Sequence, residues 1–207
     1  MKKFLRNHSY TLSQVAAVAF ASKKVFLISV FFFLTGISTG IFLELTMAAD
    51  EKSSLAGYLQ QYLYMDSGSV DYPNPFLSSL TSNLLLLLII FLAGLSALGF
   101  PAALAALTYK GMALGFCTGL IVETLKDKGI LVILTSLVPQ NLILIPVFIL
   151  ASAAAVNYGL FSLRSRRMPT KKNLKDVSGS YILLMLFLCL AIGLACGLEA
   201  ILYPIVL

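Results

Sequence analysis

Long apolar runs alternate with short polar breaks along this chain, and four runs are uninterrupted: Val25 to Met47, Leu77 to Leu98, Ala102 to Leu125 and Tyr181 to Leu207. Each reaches the roughly 20 residues an α-helix needs to cross a bilayer. A fifth stretch, 130–162, is too long for one untilted crossing and carries Leu137-Val-Pro139-Gln140-Asn141-Leu-Ile-Leu-Ile-Pro146 in its middle. Proline lacks an N–H and disfavours helix in the residue before it. This span is therefore expected to break at 139–141, with Pro139 and Pro146 marking the break and two amide side chains beside it. The predicted fold is an all-α integral membrane protein, a five-span bundle with one broken span.

Composition removes most other classes. Of 207 residues 59% are hydrophobic and 12% charged, with mean hydropathy +0.93, which leaves no room for a soluble catalytic domain. The formal charge of +6 is that of a membrane protein whose basic loops set its topology, not of a nucleic-acid binder. Cys117, Cys189 and Cys196 all lie in apolar runs and read as small packing residues, and His8 stands in the polar amino-terminal tail without a second ligand nearby. The sequence has no serine-nucleophile motif, phosphate loop, dinucleotide fingerprint or His-Glu zinc helix, so no enzyme activity, cofactor or metal is expected.

Charge asymmetry orients the spans. The tail 1–24 carries Lys2, Lys3, Arg6, Lys23 and Lys24, whereas the loop 48–76 sets Asp50, Glu51, Asp66 and Asp71 against Lys52. The amino terminus is thus expected in the cytoplasm, the 48–76 loop outside, the basic loop 163–180 inside and the carboxyl terminus outside. The first span reads as an uncleaved signal anchor, with cleavage near Met47-Ala48-Ala49 left open, and residues 4–22 have weak interfacial-helix spacing.

Glycines four residues apart occur in three spans: Gly36 and Gly40, then Gly111, Gly115 and Gly119, then Gly193 and Gly197. That spacing places them on one helix face, where a second backbone can approach. They read as packing positions within the bundle, homo-oligomerisation being the alternative, and the triple repeat marks the expected bundle centre. Each of these spans also carries one carboxylate, Glu44, Glu123 and Glu199, at 19, 21 and 18 positions from its inner end. At 1.5 Å per residue they fall about 27–32 Å along, near the outer edge of the hydrocarbon core. Glu44, Glu123, Glu199, Gln140 and Asn141 are therefore expected to form one polar site on the outer face, against the plainer reading that each Glu simply meets water at a helix end. Lys110, about nine positions into its span, is expected to snorkel to the cytoplasmic headgroups.

The outer loop holds Tyr58, Tyr62, Tyr64 and Tyr72, and Leu55 to Met65 has helical spacing of apolar positions. These tyrosines suit either an interfacial aromatic belt or a docking surface for an external partner.

Three stretches taken together, Leu107-Thr-Tyr-Lys110-Gly111-Met-Ala-Leu-Gly115-Phe116-Cys-Thr-Gly119, the Pro139 to Pro146 element and the terminal Glu199-Ala-Ile-Leu-Tyr203-Pro204, resemble the stage II sporulation protein M family. In the wider superfamily the middle element commonly reads Pro-His-Gly-x-x-Glu-x-Pro. Gln140, Asn141 and Leu144 stand where that His, Gly and Glu would be, so no His and Glu chemistry carries over. The resemblance implies a non-enzymatic scaffold in the bacterial cell membrane, at the sporulation septum and engulfing membrane. It would recruit the peptidoglycan hydrolases called stage II sporulation proteins D and P for septal wall thinning. The competing reading is a transporter or channel subunit with a polar site at the broken span.

Overall fold

The computed structural model describes residues 22–64, 75–96, 99–167 and 174–206. Among them are seven α-helices, one π-helical turn and no strand. In chain order these are α1 (Lys23–Thr46), α2 (Ala49–Tyr64), α3 (Pro75–Leu95), α4 (Phe100–Leu125), α5 (Asp127–Val132), the π turn Ile133–Leu137, α6 (Val138–Arg167) and α7 (Leu174–Val206). Five of them, α1, α3, α4, α6 and α7, are long and apolar enough to cross a membrane. An apolar run in lipid must satisfy its backbone internally, and a helix does so; hydroxyls within the spans follow suit, as when Ser29 and Thr108 donate to the carbonyls four residues earlier.

Pairwise contacts fix the relative directions. α1 and α4 run parallel, because Phe33 meets Gly111 and Gly40 meets Phe116. α3 and α7 run antiparallel, with Ser79 beside Cys196 at one end and Phe91 stacked on Tyr181 at the other. α6 opposes α4, since Ser152 donates to Ala103 O at 3.3 Å while Phe148 lies under Lys110. Successive spans therefore alternate, leaving a basic end with Lys23, Lys24 and Arg164 and an acidic end with Glu44, Asp50, Glu51 and Glu123.

The central helix is α6, not the glycine-rich third span. Of its apolar window 67% is buried, against 28% for α4. Small side chains make this possible, since Ala151, Ser152, Ala153, Ala154 and Ala155 are fully enclosed and let neighbouring helices close in. At the basic end Tyr181 stacks on Tyr158 at 4.5 Å between ring centres and donates its hydroxyl to Phe91 O at 3.1 Å. Gly94 leaves the room for that hydroxyl. One aromatic stack thereby ties α3, α6 and α7 together.

The glycine faces behave in two ways. A Cβ on Gly36, Gly40, Gly111 or Gly115 would collide with backbone atoms of the facing helix, so α1 and α4 are locked main chain to main chain. Gly193 and Gly197, expected to pack in the same manner, have nothing within 4 Å of a Cβ position. α7 buries its Tyr181, Leu184, Leu188, Ile192 and Cys196 face instead. The glycines sit outside that face, and an apolar groove of about 520 Å³ between α3 and α7 is lined on α7 by Ile182, Met185, Leu186 and Cys189.

Boundaries differ from expectation at the charged segments. α7 begins at Leu174 and absorbs Lys175 and Asp176, while α6 runs on to Arg167, so most of the expected basic loop 163–180 is helix end. The irregularity in the fourth span precedes Pro139. Pro139, Gln140 and Asn141 occupy the first turn of α6, Pro146 is accommodated inside it, and the departure from α geometry is the π turn, where Val138 N–H reaches Ile133 O. A proline needs no donor in a first turn, and the widened turn before it removes the ring's conflict with the preceding carbonyls.

Candidate functional site

Four of the five residues expected to form one polar site divide between two places. At the acidic end α1 and α4 emerge side by side, and their carboxylates Glu44 and Glu123 grip one ammonium, that of Lys52 on α2. Lys52 Nζ lies 2.8 Å from Glu44 Oε1 and also donates to Glu123 Oε2. The two acids differ sharply in setting. The Glu44 side chain is 2% exposed and that of Glu123 is 53% exposed. Glu44 fits because Gly119, next to it on α4, has no side chain; a Cβ there would stand 3.0 Å from Glu44 Oε2.

The fully buried Glu44 Oε1 has the Lys52 ammonium as its charge compensation, and among the described residues nothing else pairs with it. The Lys52 pKa is raised above its ordinary 10.5, first by the hydrogen bond to Glu123 and then by Glu44. α2 starts well as a helix because Asp50 and Glu51 occupy its first turn, where negative charge meets the positive end of the helix dipole. It begins six residues upstream of the expected Leu55, and that extension brings Lys52 into reach of both acids.

Gln140 and Asn141 belong elsewhere. Gln140 Nε2 donates to Ser79 Oγ at 2.8 Å and approaches Cys196 Sγ at 3.9 Å, and Asn141 turns back to Leu137 O at 2.8 Å. Asn83 joins the same network through Ser79 O and Cys196 Sγ, and Lys110 donates to Asn83 Oδ1 at 2.7 Å. Lys110 therefore does not snorkel to a headgroup. Its helix is rotated so that the ammonium enters the bundle, 5.3 Å above the Phe148 ring. The side chains of Glu199, Tyr58, Tyr62 and Tyr64, and Tyr72 with residues 4–21 of the expected interfacial segment 4–22, lie outside the described residues.

Three participants went unnoticed in the sequence. Lys52 enters the charge pattern only as an offset to loop acids, although a single cation eight residues beyond Glu44 is a usable signal. Ser79 and Asn83 were passed over within an apolar run, where an amide is costly unless it is bonded. Among the described residues no group of three or more His, Cys, Asp or Glu side chains is placed to hold a metal ion.

A five-span helical bundle, apolar outside, with a clamped carboxylate pair at one end and a bonded polar network at mid-depth, defines a multi-pass membrane protein whose polar groups fasten helices together. Its residues 29–202 match the family model described as stage II sporulation protein M, and the chain belongs to that family. No curated protein and no solved structure matches it. The membership makes this a sporulation membrane protein in class, and the family is not a known enzyme family.

Proposed function

We propose that this protein is a non-enzymatic membrane scaffold that anchors peptidoglycan hydrolases on the outer face of the cell membrane at the sporulation septum. Its acidic end faces outward and its basic end the cytoplasm, in keeping with the excess of Lys and Arg on cytoplasmic segments. The partners are stage II sporulation proteins D and P, which thin the septal wall for engulfment. Family membership across residues 29–202 carries this reading. The tyrosines Tyr58, Tyr62, Tyr64 and Tyr72 and the acidic-end residues Glu44, Glu123 and Glu199 supply the docking surface. Gln140 acts indirectly, by tying α6 to α3 and α7, and Asn141 by fastening the π turn to the start of α6.

The experiment is co-purification from sporulating cells. Variants with residues 48–76 replaced, or with Glu44, Glu123 and Glu199 changed to Gln, are expected to lose their hydrolase partners while remaining in the membrane. Full retention of both hydrolases by all of these variants would sink the docking assignment.

A transport reading has one observation in its favour, the ammonium of Lys110 inside the bundle beside Asn83. Substrate flux or ion conductance through reconstituted vesicles would favour it over the scaffold.

A further inference from the structure

The spans α3 and α7 touch at two levels, where Ser79 faces Cys196 and where Phe91 stacks on Tyr181, and between these levels they leave a groove. Leu85, Leu88, Ile182 and Leu186 form its exposed mouth, and the buried Leu87 and Met185 its floor. Thr81 lines the far end, but its hydroxyl donates to Leu77 O at 2.7 Å and adds little polarity.

The dimensions of the groove select its occupant. From Thr81 to Phe91 it follows α3 for ten residues, about 15 Å, which is the depth of one leaflet in a hydrocarbon core of about 30 Å. A volume of about 520 Å³ over that length leaves a cross-section of about 35 Å². A helix with its side chains, about 10–12 Å across, is too wide for it. An extended methylene chain fits.

Charge then says which lipid. The groove reaches its outer end at Phe91 and Ile182, on the basic side of the bundle, where Lys23, Lys24 and Arg164 also lie. Beyond Ile182 the same face of α7 continues through Ser178 to Lys175, because positions four and seven residues apart share a helix face. Lys175 stands about 10 Å further out than Ile182, at the level of headgroups. Gly179, beside this line, has nothing within 4 Å of a Cβ position, which leaves room for a group bulkier than a methylene chain. Asp176 is turned about 100° round the helix from Lys175 and off the line.

We propose that the groove between α3 and α7 binds an anionic phospholipid of the leaflet at the basic end, one acyl chain lying in the groove and the phosphate headgroup received at Lys175. A zwitterionic lipid carries its own cation and gains less from that lysine, so the site selects net negative charge. The acyl chain supplies packing atoms that the two helices do not give each other over this length. None of this depends on the scaffold reading.

The test places the full chain in phosphatidylcholine nanodiscs containing a small fraction of phosphatidylglycerol with a diazirine near the end of one acyl chain. After irradiation, cross-linked residues are mapped by peptide mass spectrometry. They should concentrate within 81–91 and 182–189, and fall when unlabelled phosphatidylglycerol, but not extra phosphatidylcholine, is added. Lys175→Gln should cut labelling about fivefold, the scale of one basic side chain near an anionic surface. Leu85→Trp fills the mouth and should abolish it, whereas Leu194→Trp, on exposed α7 surface outside the groove, should leave it unchanged. Both leucines are exposed, so neither change disturbs the core. Cross-links spread evenly over all five spans would overturn the proposal, reducing the groove to ordinary lipid-facing surface. So would equal labelling by a phosphatidylcholine probe, labelling undiminished in Lys175→Gln, or a protein dimer in which the groove is closed to the probe.

Discussion

Gly40 of α1 lies against the main chain of Met112 in α4, so close that a Cβ on the glycine would overlap the Met112 carbonyl oxygen. Gly115 stands in the same relation to Ile37 O on the opposite helix. The seam is reciprocal, each helix placing glycines against the other's backbone. Because the obstacle is backbone and not a movable side chain, Gly40→Ala or Gly115→Ala must push the helices apart, with a cost of about 1–3 kcal/mol. Gly193→Ala and Gly197→Ala meet open space and should stay within about 0.5 kcal/mol of the parent. Unfolding in mixed micelles, followed by far-UV circular dichroism, measures all four.

Inside the bundle, Lys110 and Asn83 should respond asymmetrically. Asn83→Leu removes the oxygen that accepts from the Lys110 ammonium at mid-depth, and is expected to destabilise by about 1–3 kcal/mol. Replacing both partners by apolar residues, as in Asn83→Leu with Lys110→Met, should recover most of that loss, because no charge then remains to be solvated by the interior. The same unfolding measurement decides. A double variant as weak as Asn83→Leu alone would show that the ammonium has other work in the bundle.

These relationships differ in how far the sequence disclosed them. The five spans were legible because runs near 20 apolar residues have few other stable arrangements in lipid. The glycine seam was legible as a face, since spacing by four fixes rotation about a helix axis. Spacing does not name the neighbour, however, and so Gly193 and Gly197 looked identical to Gly36 and Gly40. For Lys110 the expected direction fails, because position along a helix leaves its rotation in the bundle undetermined. The irregularity expected at Pro139 lies upstream of it, because a widened turn absorbs the constraint the proline imposes. The Lys52 pairing is hidden because loop charges fix topology without naming their partners.

Lys126 closes α4 in a conformation that side chains rarely adopt, with φ at 49° and ψ at −122°. Its N–H still caps Val122 O and its carbonyl accepts from Gly129, so the reversal into α5 depends on this residue. Glycine has no Cβ to oppose such a backbone. Lys126→Gly should raise stability by about 1 kcal/mol, the scale of strain held at one sparsely populated residue. Thermal unfolding of the two proteins in the same detergent gives the sign.

The clamp of α2 onto the bundle should have a defined pH dependence on its alkaline side. Lys52 is held by Glu123 and Glu44, and its pKa is raised above the ordinary 10.5, so the folded state holds that proton more tightly than the released chain does. A group of this kind contributes stability in full below its unfolded pKa and loses it as pH rises through the folded one. Attachment of α2 should therefore be constant from neutral pH to about 10 and weaken only above 10.5, as the ammonium titrates. Lys52→Arg should move the release to still higher pH, because guanidinium stays charged there. Lys52→Gln should show α2 detached throughout. The separation of labels at Ser54 and Val122, recorded between pH 7 and 11.5, tests all three. A release midpoint unchanged by Lys52→Arg would show that something other than this ammonium fastens the helix.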